Sequence, residues 1–332
     1  MKSDSISVVI PLYNAEKTLE VCVSSVLNQS LQPAEILLVD DGSTDGTVKT
    51  AEKLCERFSV VRLLRQNHGG TSAARNCGLR EAKSEWILFL DADDQLVEDA
   101  LLNLTENLDE TVDACCGRIL RGNEQKKQSK ADSVWLSDTS ALLNRVMANP
   151  TDLLTIHGWV FRRSVCIERE IFLNPTLRMG EDTDWVLRYL TVCRGVVLIP
   201  NWVYRYSICP DSTIHRWKTG QTEEYLAVLD AIGKTSARQE KNWPICVLTT
   251  LLLILTHVTF HPANPASRTE QLREIKRLRF LPVMEDAFRQ ADFSVLSLPK
   301  RVTLICLKAR WYGPVRLAVK LRQLHNYQIS EP

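Results

Sequence analysis

The chain has 332 residues, 24% of them charged, with a net charge of +1. That length can bury one large α/β core plus an appendage, and that charge balance gives no global electrostatic case for nucleic acid as a partner. Its ten cysteines are scattered with no Cys-x-x-Cys pair, and the adjacent Cys115 and Cys116 point to opposite faces of a strand-like run, so neither a disulfide framework nor a thiolate metal site is expected.

The first apolar run, Ile6-Ser7-Val8-Val9-Ile10-Pro11-Leu12, reads as a buried strand rather than a leader segment, so a cytoplasmic protein with reduced thiols is expected. Tyr13 and Asn14 follow that strand, where a planar ring can pack on a base; a helix entry at Asn14 to Glu16 is the plainer alternative. A second buried run, Ile36–Val39, delivers Asp40-Asp41-Gly42-Ser43 to its carboxyl end. A carboxylate there can accept from a base N–H or a ribose hydroxyl, or can simply make a turn. A third segment, Asn67-His68-Gly69-Gly70-Thr71-Ser72-Ala73-Ala74-Arg75-Asn76-Cys77-Gly78, opens a helix behind a glycine pair. Glycines let backbone approach a ligand and the helix start favours phosphate, while Arg75, a turn further on, can reach the nucleotide or pair with an acid.

Trp86–Leu90 then runs straight into Asp91-Ala92-Asp93-Asp94. Three carboxylates in four residues at a strand tip repel one another unless a cation or solvent neutralises them. Asp91 and Asp93 are therefore candidate ligands for Mg or Mn, with a phosphate supplying further oxygens; a polar turn ahead of the Leu96–Leu108 stretch, with Asp94 in a capping role, is the alternative. Residues 122–130 are polar and read as a loop. In His157-Gly158-Trp159-Val160-Phe161-Arg162-Arg163, Trp159 can stack on a sugar but a strand tryptophan more often packs in the core, and His157 reads as structural. Met179-Gly180-Glu181-Asp182-Thr183-Asp184-Trp185 begins an amphipathic helix whose acids either serve the helix dipole or supply a general base. Arg205, Ser212 and His215, in and after a strand over 201–208, are weaker candidates to close over a diphosphate.

From Trp217 the pattern is helical, over 225–232, 245–260, 272–281 and 302–324. Residues 245–260 are very apolar but fall short of the ~20 residues of a membrane span, so a buried or interfacial helix is expected. In the tail, Lys300, Arg301, Lys308, Arg310, Arg316, Lys320 and Arg322 alternate with apolar residues and no acid intervenes before His325. Peripheral contact of residues 300–325 with an anionic membrane is expected, against a helix packed on the remainder with Gly313-Pro314 as its break.

Taken in order, Pro-x-Tyr-Asn, Val-Asp-Asp-Gly-Ser, Ala-Arg-Asn-x-Gly and Asp-x-Asp resemble the family 2 glycosyltransferases of the GT-A fold, closely over about residues 5–120 and loosely to about 210. The resemblance implies an α/β fold with a Rossmann-like, mostly parallel sheet flanked by helices, divided into a catalytic domain over 1–215 (nucleotide half 1–120, acceptor half 121–215) and a helical region over 216–332. It implies that Pro11, Tyr13, Asn14, Asp41, Gly70, Arg75, Asp91, Ala92 and Asp93 bind a UDP-sugar, with Asp41 on the uracil. Asp93 and Asp91 would hold Mn or Mg; Asp182 would be the catalytic base, and Glu181 would orient the acceptor. Where relatives often carry Lys, this chain has Trp159, which departs from the pattern of donor-sugar contact. The implied reaction is inverting transfer of a hexose to a glycan or glycolipid acceptor, as in assembly of lipopolysaccharide core, O-antigen or capsule at the inner face of the cytoplasmic membrane. A binding module without turnover and a haloacid-dehalogenase-type phosphatase are the alternatives. The phosphatase motif usually lies on the first strand rather than the fourth.

Overall fold

The computed structural model describes residues 5–106, 108–122, 124–126, 132–148, 150–207 and 217–320. They divide into two compact units, one of residues up to 142 with 155–207, the other of 143–154 with 208 onward.

In the first unit, three β-branched or leucine-rich runs form parallel strands β1 (Ile6–Leu12), β2 (Glu35–Asp40) and β3 (Val61–Arg65), joined by helices α1 (Leu19–Leu27) and α2 (Thr47–Arg57). Every residue of β1 and β2 is buried, as strands covered on both faces must be. Helix α3 (Thr71–Glu81) returns the chain to β4 (Trp86–Phe89), which pairs with β1 in parallel. A Cβ on Gly78 of α3 would stand 2.3 Å from a Val9 methyl of β1, so only glycine permits that approach of helix to sheet.

Beyond β4 the connections change character. The short β5 (Gln95–Leu96) and helix α4 (Ala100–Thr105) precede β6 (Ala114–Arg121) and β7 (Val134–Leu136). Helices α5 (Thr139–Ala148) and α6 (Pro150–Leu153) lead to β8 (Trp159–Arg162), followed by α7 (Arg163–Glu168), α8 (Glu181–Leu190) and β9 (Val196–Tyr206). The sheet order is β3-β2-β1-β4-β8-β6-β9-β5, with β7 on β9. Strand β8 is wedged antiparallel between β4 and β6, with Leu88 opposite Val160. Its first residues therefore lie beside the last residues of β4. Trp159 is fully buried, with its ring stacked on Phe161, so it is a core residue here.

The second unit is helical. Helix α9 (Gln221–Gly233) is followed by α10 (Trp243–Ile254), which runs on into a π turn over Leu255–Thr259. Ile245, Leu248, Leu251 and Ile254 are buried, which accounts for the apolarity of this stretch without a bilayer. Among the described residues no helix is long and apolar enough to cross a membrane. Helix α11 (Arg268–Arg279) starts four residues earlier than the sequence pattern suggests, because Ser267 and Glu270 form a reciprocal capping box. Pro282 opens a separate α12 (Pro282–Gln290), and α13 (Leu298–Lys308) follows. The expected helix over 302–324 is broken at Arg310, whose φ is +63°, and not at Gly313-Pro314. Residues 312–320 are helical again, with Pro314 in the first turn, where its missing N–H costs nothing.

Candidate active site

The carboxyl ends of β1, β2 and β4 open on one edge of the first unit's sheet. At the end of β1, Pro11 is buried in the strand, whereas Tyr13 is 51% exposed and Asn14 adopts a left-handed φ of +53°. Asn14 Oδ1 accepts from Thr44 N at 2.8 Å and its own N–H donates to Ser43 Oγ at 3.0 Å, so the β1 and β2 loops are tied together.

At the end of β2, Asp40 accepts from the N–H groups of Gly42 and Ser43 and shapes the turn. Asp41 is buried and surrounded by donors: Gln66 Nε2 at 2.7 Å, Gly69 N at 2.8 Å and Gly70 N at 2.8 Å. His68 Nδ1 lies 2.8 Å from the same carboxylate, and the His68 ring packs on Tyr13 with centroids 4.6 Å apart. Asp41 thereby fastens the glycine loop that begins α3. Gln66 lies just outside the glycine segment singled out in the sequence and His68 within it has no role assigned there, although the register pairing Asp40 with Arg65 sets residues 66–70 beside Asp41. Gly70 sits at the helix start with φ +88°, a conformation that disfavours a side chain.

The four residues after β4 diverge. Asp91 Oδ1 accepts from Arg75 Nη2 at 2.7 Å, and Asp91 Oδ2 lies 3.0 Å from His157 Nε2. Burial would raise the Asp91 pKa, but Arg75 and His157 outweigh it and hold the carboxyl well below the usual range. For His157, burial works to depress the imidazole pKa, yet Asp91 prevails and raises it. Ala92 is buried in the turn. Asp93 is exposed, and partial loss of hydration followed by the charge of Asp91 pushes its pKa up. Asp94 does not cap a helix, since Asp99 occupies the position before α4. It is buried, accepting from Tyr204 Oη at 2.6 Å and Ser207 N at 2.7 Å. Burial and then Asp91 raise its pKa to about 7.

Arg75 is where two motifs meet. Buried in α3, its guanidinium spans Asp91 and the start of α8, with Nη1 2.8 Å from Asp182 Oδ1 and 3.5 Å from Glu181 Oε1. Of the two roles the sequence left open for it, it makes the pairing with acids, one of which, Asp91, is itself a candidate donor-binding residue. Burial and then Asp182 raise the Glu181 pKa to about 7, with Arg75 opposing. Asp184 is committed elsewhere, accepting from Arg188 Nη2 at 2.6 Å. Asn76 clamps the chain before α8, exchanging two 2.8 Å hydrogen bonds with the backbone of Leu173. The residues Ala-Arg-Asn-x-Gly thus act in turn as electrostatic bridge, clamp and close approach to β1.

Asp91, Asp94 and His157 each offer a ligand atom, all within 4.8 Å of one another. Hard carboxylate oxygens with one imidazole, beside an exposed Asp93, form a donor set that fits Mn or Mg. His157, read as structural from the sequence, belongs to this set because the antiparallel β8 brings its leading residues to the β4 tip. Arg205 donates to the carbonyls of Gly122 and Glu124, while Ser212 and His215 lie outside the described residues.

Residues 7–169 match the model of Glycosyl transferase family 2. The chain belongs to the family 2 glycosyltransferases. This glycosyltransferase is 25% identical over 323 residues to the uncharacterized glycosyltransferase EpsJ of Bacillus subtilis (strain 168), spanning 90% of this chain and 94% of EpsJ. Glycosyltransferase GlyG of Streptococcus pneumoniae serotype 4 is 41% identical over 109 residues, a match spanning 32% of this chain and 36% of GlyG. The minor teichoic acid biosynthesis protein GgaA of Bacillus subtilis (strain 168) is 28% identical over 238 residues, or 66% of this chain and 51% of GgaA. The crystal structure of S. aureus TarS 1-349 in complex with UDP-GlcNAc matches with a TM-score of 0.65 at 19% identity, over 97% of this chain and 92% of that one. The glycosyltransferase has the GT-A fold. Its family membership sets the phosphatase alternative aside.

Proposed function

We propose that this glycosyltransferase transfers a hexose from a UDP-sugar to a glycan acceptor with inversion, using Asp182 as the general base. The observation that carries this reading is the buried Arg75 guanidinium, 2.7 Å from Asp91 and 2.8 Å from Asp182. It holds an acid of the donor side and an acid of the acceptor side within reach of one reacting bond. The acceptor hydroxyl gives its proton to an Asp182 oxygen as its own oxygen bonds to the anomeric carbon. The bond from that carbon to the diphosphate breaks, and its electron pair leaves with UDP. A single displacement of this kind inverts the centre. Glu181 orients the acceptor beside the base. Asp184, closed off by Arg188, is not a substitute.

On the donor side, the exposed Tyr13 ring and its His68 partner offer a planar face for the base, with Asn14, Asp41 and Gly70 shaping the pocket behind it. A uracil N–H reaching Asp41 must compete with the donors of residues 66–70. The UDP-GlcNAc bound by the similarly folded TarS supports a UDP-sugar as donor. Asp91 and Asp93, joined by Asp94 and His157, would hold Mn or Mg. That ion would supply Lewis-acid stabilisation of charge on the leaving diphosphate.

In this reading residues 1–215 do the chemistry and 216–332 form a helical appendage. The acceptor is a glycan or glycolipid, lipid-linked during assembly of a surface polysaccharide such as lipopolysaccharide core, O-antigen or capsule; the relative GgaA is named for teichoic acid biosynthesis. Such an acceptor places the enzyme peripherally on an anionic membrane, at the inner face of the cytoplasmic membrane. The test is a panel of nucleotide sugars incubated with the protein and Mn, with released nucleoside diphosphate measured with and without chelator. Release confined to UDP-sugars and abolished by chelator is expected. Full release in excess chelator contradicts the metal assignment, and no release from any donor favours a binding module.

A further inference from the structure

A helix lying on a protein surface ordinarily turns apolar residues inward and polar ones to water. Helix α13 does not. Its inward face buries Thr303, Leu304, Cys306 and Leu307. Leu298, Val302, Ile305 and Ala309 recur at i, i+4, i+7 and i+11, which at 3.6 residues per turn places them in one line along the opposite side. Leu298 is 69% exposed, Val302 and Ile305 are 47% exposed each, and Ala309 is exposed as well. Past the break at Arg310, Trp311, at 63%, and Leu317, at 62%, are exposed as well, whereas Val315 and Val319 are buried. The tail's apolar residues thus sort into a packed set and an outward set, a division the sequence alone does not reveal.

The charge within the tail has one sign, and the acid beside it, Asp292, interacts with Arg301. Lys300, Arg301, Lys308, Arg310, Arg316 and Lys320 occur with no acid anywhere from 300 to 320. Arg301 and Lys308 project from one flank of the stripe. Arg301 is steadied by hydrogen bonds to the carbonyls of Phe293 and Ser294, and Lys308 lies 5.5 Å from the centre of the Phe293 ring. A row of aliphatic side chains with a tryptophan, in a stretch whose own charges are all cations, matches the interface of an anionic bilayer: acyl chains for the stripe, phosphates for the cations and the headgroup level for the indole.

We propose that the outward face of α13, together with Trp311 and Leu317, is the surface by which this protein docks on an anionic lipid bilayer. The reason for such docking rests on the reading of the acceptor as lipid-linked, but the docking itself needs no acceptor. The helix lies flat, since it is far too short to span.

The test is co-sedimentation of the full chain with phosphatidylcholine vesicles, with and without phosphatidylglycerol, in low and high salt. The wild type is expected to bind the anionic vesicles in low salt and to be released by salt. The variant carrying Leu298→Gln, Val302→Gln and Ile305→Gln, all at exposed positions, is expected to bind at least about tenfold less, at ~0.8 kcal/mol per CH₂ withdrawn from the acyl layer. Lys308→Glu, on the flank of the stripe, should also weaken binding, and only on anionic vesicles. Sedimentation velocity on the same samples should show one unchanged oligomeric state. No vesicle binding by the wild type, equal binding by the variants, or a dimer that the glutamine variant dissociates would each overturn the proposal, the last by making a second copy the occupant. Donor hydrolysis without acceptor, measured in parallel, separates the two readings: hydrolysis without vesicle binding rejects the docking face alone, and vesicle binding without hydrolysis rejects the enzymatic reading alone.

Discussion

Two strand tips on the same sheet edge carry aspartates, Asp41 buried and Asp91 half-buried, and they are neutralised in different ways. Asp41, at the end of β2, is satisfied by its own neighbourhood, through two backbone N–H groups, Gln66 and His68, all from the loop after the adjacent β3. Asp91, beyond β4, is held by Arg75 from α3 and by His157 from the lead-in to β8, 66 residues away in sequence. The first tip is a local device that shapes a loop, built from backbone and side-chain donors of one neighbouring segment. The second is assembled from distant parts, and only a charged partner offsets its crowding with Asp93, Asp94, Glu181 and Asp182. The region with mostly neutral donors suits reversible binding, and the region of opposed charges suits a site where charge moves.

The largest expected effect comes from breaking the second tip. Asp91→Asn and Asp93→Ala should each reduce turnover to background while the circular dichroism spectrum is preserved, and chelator should do the same to the wild type; near-normal turnover of either variant would remove that acid from the site. Next is the bridge itself. Arg75→Met leaves three clustered acids without their cation and should lower unfolding free energy by about 3–5 kcal/mol in urea titrations. Arg75→Lys should recover only part of the loss, because a point charge cannot span Asp91 and Asp182 as a guanidinium does. Equal stability of all three proteins would mean that Arg75 does not join the tips.

The difference between the tips also decides what was legible in the sequence. Strands β1, β2 and β4 and the acids that follow them could be read directly, because apolar runs ending in Asp carry strand and site in one stretch of chain. The partnership of Arg75 with Asp182 and Glu181 could not, because nothing local in Ala-Arg-Asn-x-Gly says which acids lie above the helix. His157 passed for a structural residue since its meaning depends on β8 entering the sheet antiparallel to β4, a long-range choice that no periodicity encodes. Asp94 resembled a helix cap because its acceptor role needs Tyr204, 110 residues on. In the tail, helical spacing was visible but the buried face was not, and Arg310 rather than Gly313-Pro314 ends the helix.

A smaller effect sharpens the first tip. Asp41→Ala should cost about 1–3 kcal/mol through donors left unsatisfied in the 66–70 loop, and should weaken UDP binding in calorimetry while leaving the stability contribution of Arg75 intact. Coupling between Asp41 and Arg75 in a double-mutant cycle would contradict the independence of the two tips. The smallest effect is in the pH dependence. Glu181 is raised by burial and by Asp182 to about 7, so it binds its proton more tightly folded than unfolded. Its contribution is therefore unfavourable above pH 7 and relieved as pH falls toward the ordinary carboxylate range. The melting temperature should drop as pH rises through that window, and Glu181→Gln should flatten the drop; an identical slope in both proteins would show that Glu181 is not the group responsible.

The central claim, that Asp182 acts on the acceptor while the nucleotide is held elsewhere, is tested most directly by one paired measurement on Asp182→Asn. Calorimetric affinity for UDP and the rate of sugar transfer are determined on the same preparation. Unchanged UDP affinity with transfer reduced by about 100- to 10,000-fold is the predicted result. Transfer within a few fold of wild type, or loss of UDP affinity in step with activity, would contradict it.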